Sequence, residues 1–264
     1  MYERIIVPVD GSSTAWEAVH PAVGLARRWG CEVVVVSGVG RESDVDAVWR
    51  DLESLVGAGG WHDRVEVRVQ HERAVDRLVA SVADEVSNGL VVLSSTGRGR
   101  SAAILGSVAE SILRRLRGPA LVYGPKAPRQ PPDDRPVVVA VTSDEVSEAA
   151  LDPAAAWAVA LDAVPWVVTV GEPDQPMPPD TAEWALASTT AERVRRRTGG
   201  VVEFETLRDD DPVEALVGFA ADLGAGMLVE ATHARTGLHR LRRGSVTMGC
   251  VHRASCPVLV VRGE

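Results

Sequence analysis

The chain says the same thing twice. Gly106-Ser107-Val108 recurs as Gly244-Ser245-Val246, 138 residues further on. At that same offset, Ala74-Val75-Asp76-Arg77-Leu78 is matched by Pro212-Val213-Glu214-Ala215-Leu216. Two separate matches at one offset mark a tandem duplication, so the 264 residues divide into two domains of similar size. The copies open alike, with Arg4-Ile-Ile-Val-Pro-Val-Asp10 and Pro136-Val-Val-Val-Ala-Val-Thr142. Between them runs a segment with five prolines, from Pro125 to Pro136, which suits an extended linker. The expected boundaries are a first domain over 1–126, a linker over 127–136 and a second domain over 137–264.

Within each copy, short apolar runs alternate with amphipathic stretches. The first copy reads as strands near 4–9, 32–38, 65–70, 90–94 and 120–123, with helices near 14–29, 44–55, 73–86 and 107–116. The second reads as strands near 137–141, 166–170, 201–207, 227–230 and 258–261, with helices near 145–161, 181–197, 212–223 and 245–253. Runs such as Val33-Val-Val-Val36 are continuous rather than alternating. That pattern belongs to strands covered by helices on both faces. The expected fold is therefore α/β, with two tandem, doubly wound, five-stranded parallel-sheet domains. In such sheets ligands sit beyond the carboxyl ends of the strands, where the strand order reverses. This directs attention to the residues after Val9, Val36 and Leu93.

Composition narrows the chemistry. The chain has one lysine, Lys126, and it lies between Pro125 and Pro128. A phosphate-binding loop of the G-K-[ST] type, a kinase strand lysine and a Schiff-base lysine are all excluded by its position. A net charge of −9 argues against general nucleic-acid binding and gives no polybasic signal for a membrane. No apolar run reaches the ~18 residues of a membrane span. The opening residues are expected to enter a strand at once, without a secretory leader. The three cysteines, Cys31, Cys250 and Cys256, are few, odd in number and outside any Cys-x-x-Cys pair, which suits a reducing cytoplasm.

Two places remain for a ligand. Asp10-Gly11-Ser12-Ser13 follows the first strand. Asp10 can accept from a ribose hydroxyl or an adenine edge, or can simply organise the turn. After the fourth strand, Ser94-Ser-Thr96-Gly97-Arg98-Gly99-Arg100 leads to Gly106-Ser107 at a helix start. Glycines let backbone approach a phosphate, and the helix N-terminus favours an anion. Ser107 can cap that helix or donate to a phosphate, and Arg98 and Arg100 add charge.

These residues resemble a tandem, actinobacterial-like member of the universal stress protein family. The resemblance rests on Ile5-Ile-Val-Pro-Val-Asp-Gly-Ser12, on Gly106-Ser107-Val108-Ala109-Glu110, and on Gly118-Pro119-Ala120-Leu121-Val122 with its echo Cys256-Pro257-Val258-Leu259-Val260-Val261. It implies a stress-response protein without enzymatic activity, or at most a weak ATPase. It also implies a site for ATP or another adenine nucleotide in the first domain, with Mg2+ as an accompanying ion. Carried over by position, that site comprises Pro8, Val9, Asp10, Val36, Leu93, Ser94, Thr96, Gly97, Arg98, Gly106, Ser107 and Val108. The family pattern G-x2-G-x9-G-[ST] is met with two departures: Ser94 stands at the first glycine, and eight residues separate Gly97 from Gly106. In the second copy the aspartate is Thr142, Ala231 and Ala234 replace two glycines, and Glu230 precedes the loop, where its charge would repel a polyphosphate. The second domain is thus expected to keep the fold and lose the ligand. The alternative is an interaction protein without nucleotide, whose two domains form a pseudo-dimer. The last strands, 120–123 and 258–261, would serve for pairing or for homo-oligomers.

Rival constellations carry less. His233, His239, Cys250, His252 and Cys256 fit no ligand spacing of a zinc site. Arg235, Arg240, Arg242 and Arg243 read as a solvated loop. Arg195-Arg196-Arg197 suits a helix C-terminus, and Asp209-Asp210-Asp211 a helix start. No Gly-x-Ser-x-Gly or His-Glu-x-x-His motif is present.

Overall fold

A computed structural model describes residues 1–95, 106–173, 181–233 and 246–263. The chain forms two compact units: Met1–Pro125 with Arg129–Pro131, and Lys126–Pro128 with Pro132–Glu264. The proline-rich segment is thus shared between the units rather than standing apart.

The first unit runs β1 (Arg4–Pro8), α1 (Ser13–Trp16), α2 (Val19–Trp29), β2 (Glu32–Val39), α3 (Val45–Ala58), β3 (Val65–His71), α4 (Val75–Ala83), β4 (Gly89–Ser94), α5 (Ser107–Arg115) and β5 (Ala120–Tyr123). Its strands are all parallel, in the order β3-β2-β1-β4-β5. The chain therefore builds outward from β1 to β3, then crosses back to β4 and β5. Right-handed crossovers put the helices of the two halves on opposite faces of the sheet. Ile5, Ile6, Val33 to Val36 and Leu90 to Leu93 are buried, as strands covered on both faces require.

The second unit repeats this with β6 (Val137–Ala140), α6 (Glu148–Leu161), β7 (Pro165–Gly171), α7 (Ala182–Thr198), β8 (Glu203–Arg208), α8 (Pro212–Asp222), β9 (Met227–His233), α9 (Val246–Arg253) and β10 (Val258–Gly263). Its strands are parallel in the order β10-β9-β6-β7-β8. The duplication extends to an ion pair. Arg115 Nε meets Asp76 Oδ2 at 2.7 Å, joining α4 to α5. At the 138-residue offset, Arg253 pairs with Glu214, joining α8 to α9. Burial works against ionising Asp76, but the Arg115 hydrogen bond and charge more than offset it and hold the carboxyl below its usual range.

Two expectations change. The helix expected over 14–29 is two, α1 and α2. Pro21 has no N–H to donate to the carbonyl of Glu17, so the helix restarts at Val19. The linker expected over 127–136 is in part fastened to the first unit. Arg129 bonds Glu17 Oε2 at 3.0 Å and the Gly124 carbonyl at 2.6 Å, and Tyr123 Oη donates to the Gln130 carbonyl at 2.9 Å. Among the described residues, no helix is long and apolar enough to cross a membrane.

Candidate functional site

β1 and β4 are neighbours, with Ile6 opposite Val91, and the strand order reverses between them. Pro8 and Val9 lie at the carboxyl end of β1, and the Val9 N–H donates to the Val36 carbonyl at 2.9 Å. Pro8, Val9, Val36 and Leu93 are buried. Their side chains are core, so any contact with a ligand there runs through backbone.

Asp10 is half-buried just beyond β1. Its Oδ1 accepts from the Ser12 N–H at 2.9 Å and from the Ser12 hydroxyl at 2.5 Å. Ser12 Oγ in turn accepts from the Ala15 N–H at 3.1 Å and caps α1. Asp10 therefore organises its turn through Oδ1, as short aspartates before helices do.

The end of β4 meets the start of α5 through backbone. The Ser95 N–H donates to the Tyr123 carbonyl, and the Ser95 carbonyl accepts from the Gly106 N–H, both at 2.9 Å. The second bond pins together the two ends of segment 96–105. Thr96, Gly97 and Arg98 fall in that segment, outside the described residues. Ser94 Oγ and Ser95 Oγ are buried and without a partner among the described residues. Such hydroxyls cost stability unless something satisfies them.

Gly106 is the N-cap of α5, in extended backbone and without a side-chain capping bond. The first helical bond runs from the Glu110 N–H to the Gly106 carbonyl at 2.9 Å. The N–H groups of 107–109 therefore have no intrahelical acceptor, and they carry the positive end of the helix dipole. Val108 is 41 % exposed beside them. Together these features offer anion-binding N–H groups on one strand end and a carboxylate on the next. Ser95 was not singled out by sequence reasoning. The adjacent pair Ser94-Ser95 at the end of an apolar run was the available signal.

The second unit differs at several of these positions. Thr142 takes the place of Asp10, and its N–H donates to Ser147 Oγ at 2.9 Å, so the turn closes on itself. The helical turn Glu145–Ser147 lies against the carboxyl ends of β9 and β10. A Cβ at Gly263 would come within 2.7 Å of Val146 Cγ1 and 3.1 Å of its Cα. Ala234, Gly244 and Ser245 fall outside the described residues, as does the arginine cluster from Arg235 to Arg243. Glu230, which the sequence places just before the loop as a charge that would repel a polyphosphate, is buried instead. It is only 3 % exposed and lies beneath α9. Burial raises its carboxyl above the usual range, against hydrogen bonds from Cys250 and Thr247. Among the described residues, no group of three His, Cys, Asp or Glu is placed to hold a metal ion.

Comparison with known proteins decides the family. The model of the Universal stress protein family matches residues 1–124 and again 135–262. The chain belongs to the universal stress protein family. A universal stress protein of Mycobacterium tuberculosis (strain H37Rv) is 35 % identical over 191 residues, 67 % of this chain. That match spans 64 % of the length of the mycobacterial relative. Among solved structures, a universal stress protein from Archaeoglobus fulgidus aligns over 99 % of both chains with a TM-score of 0.75 at 17 % identity, a likeness of fold. Another from Archaeoglobus fulgidus, solved in complex with dAMP, aligns with 49 % of this chain and 98 % of its own, with a TM-score of 0.38 at 24 % identity.

Proposed function

We propose that this universal stress protein binds an adenine nucleotide, ATP or a relative, in its first domain. The second domain keeps the fold without a ligand. The carrying observation is the bond from the Gly106 N–H to the Ser95 carbonyl, which brings the start of α5 up to the end of β4. Phosphate oxygens would be held by the N–H groups of 107–109, with no lysine needed. The buried hydroxyls of Ser94 and Ser95 stand beside that place as further donors. Asp10, on the adjacent strand, would face the nucleoside. Mg2+ would arrive with the phosphates. Binding at the junction of β4 and α5 would change a surface offered to a partner, which makes the role regulatory rather than catalytic.

The test is calorimetric titration of ATP, ADP and AMP into the wild type and Gly106→Asp. Asp is a good N-cap, so the variant should fold while its carboxylate repels phosphate. Saturable heat in the wild type, lost in the variant, supports the reading. No heat and no thermal shift at millimolar ATP defeats it.

A second reading has one observation in its favour: Asp10 Oδ1 is already taken by Ser12. On that reading the protein acts by binding other proteins, its two domains standing in for the two halves of a dimer. A nucleotide released on denaturation and seen by mass spectrometry would count against it.

A further inference from the structure

The two units differ in one buried place where a parallel-sheet core has no use for polarity. Leu93 lies opposite Val122 in the first unit, and Glu230 opposite Val260 in the second. Val122 and Val260 are 138 residues apart, so Glu230 is the counterpart of Leu93. Thr247 and Cys250 of α9 are likewise the counterparts of Ala109 and Ile112 of α5. All six side chains are buried. An apolar trio, Leu93, Ala109 and Ile112, has therefore become a carboxyl with a hydroxyl and a thiol that each bond to it. Glu230 Oε1 has no partner among the described residues.

We propose that Glu230, Thr247 and Cys250 form a proton-operated latch between β9 and α9. With the carboxyl protonated, the helix stays seated. When the proton leaves to solvent, the carboxylate draws water between strand and helix, and α9 lifts. The second domain, without a nucleotide to move it, would then change its surface with pH.

Among the described residues of α9, β10 and β6, Glu230 is left as the titrating group of this cluster. On α9, burial raises Cys250 well above the ordinary thiol range, and the Glu230 charge adds to this. Cys256, just before β10, is pushed up to about 12 by burial, against the charge of Arg135. Arg253 ends α9 and is engaged by Asp211 and Glu214 from α8. His252 is two residues past Cys250, on another side of the helix. From β10 the residue opposite is Val260, and β6 contributes only apolar residues.

Amide hydrogen exchange of the full chain tests this from pH about 6 to about 9, corrected for intrinsic rates. α5 in the same molecule is the control, since its core trio cannot titrate. The expected result is at least a tenfold loss of protection in α9 at the higher pH, with α5 unchanged, and no such loss in Glu230→Gln. A triple variant, Glu230→Leu with Thr247→Ala and Cys250→Ile, imports the apolar trio and should also be insensitive to pH. It keeps the test open if the Gln variant folds poorly. The proposal is overturned if α9 and α5 lose protection together in the wild type, or if α9 in either variant follows the wild type.

Discussion

Replacing Glu230 by Leu and Thr247 by Ala should stabilise the second unit, by an amount that grows with pH. The pair copies Leu93 and Ala109 of the first unit, so the space is one this fold already fills with those side chains. Replacing both partners of a buried hydrogen bond by apolar groups is close to neutral or favourable, whereas a buried unpartnered oxygen costs about 1–3 kcal/mol. Glu230 Oε1 is such an oxygen among the described residues. To this is added a linkage effect. The folded carboxyl titrates above its unfolded value, which is about 4.3. Below that value the group contributes fully to wild-type stability. As pH rises through the folded pKa, the contribution is lost, at up to about 1.4 kcal/mol per pH unit. The variant has no such group, so its advantage widens over that interval and then levels off. At about 2–4 °C per kcal/mol, its melting temperature should pull ahead by up to roughly 3–6 °C per pH unit. Thermal unfolding of variant and wild type at pH 5, 6, 7 and 8 measures the gap. A gap that stays constant with pH, or a variant less stable at every pH, would refute the reasoning.

Gly38→Ala should destabilise the first unit by about 1–3 kcal/mol, because its Cβ would come within 2.5 Å of the Glu72 carbonyl oxygen. Gly200→Ala, with nothing within 4 Å, should change stability by no more than about 0.5 kcal/mol in the same urea titration. Ser12→Ala removes the cap on α1 and the hydroxyl bond to Asp10, and should cost about 1 kcal/mol by the same measurement.

The sheet was legible because Val33 to Val36 and Val137 to Val139 are runs with no polar alternation, and only a doubly covered strand wants them. The duplication made each assignment count twice. The break between α1 and α2 was written in Pro21, but a proline near a helix start is also ordinary, so the pattern alone did not choose. For the site, Asp10 and Gly106 could be read from position in a doubly wound fold. The staple from Ser95 to Gly106 could not, because a backbone bond leaves no mark on residue type. Glu230 misled for a related reason. A carboxylate just before such a loop reads as a charge that repels a polyphosphate, and only the packing of α9 over β9 shows it buried.

The measurement that bears most directly on the nucleotide reading is a crystal structure of the chain grown with ATP or AMP. The account predicts phosphate density against the N–H groups of 107–109 and a nucleoside beside Asp10, with none in the second domain. Density absent from the first domain at saturating nucleotide, or present only in the second, would contradict it.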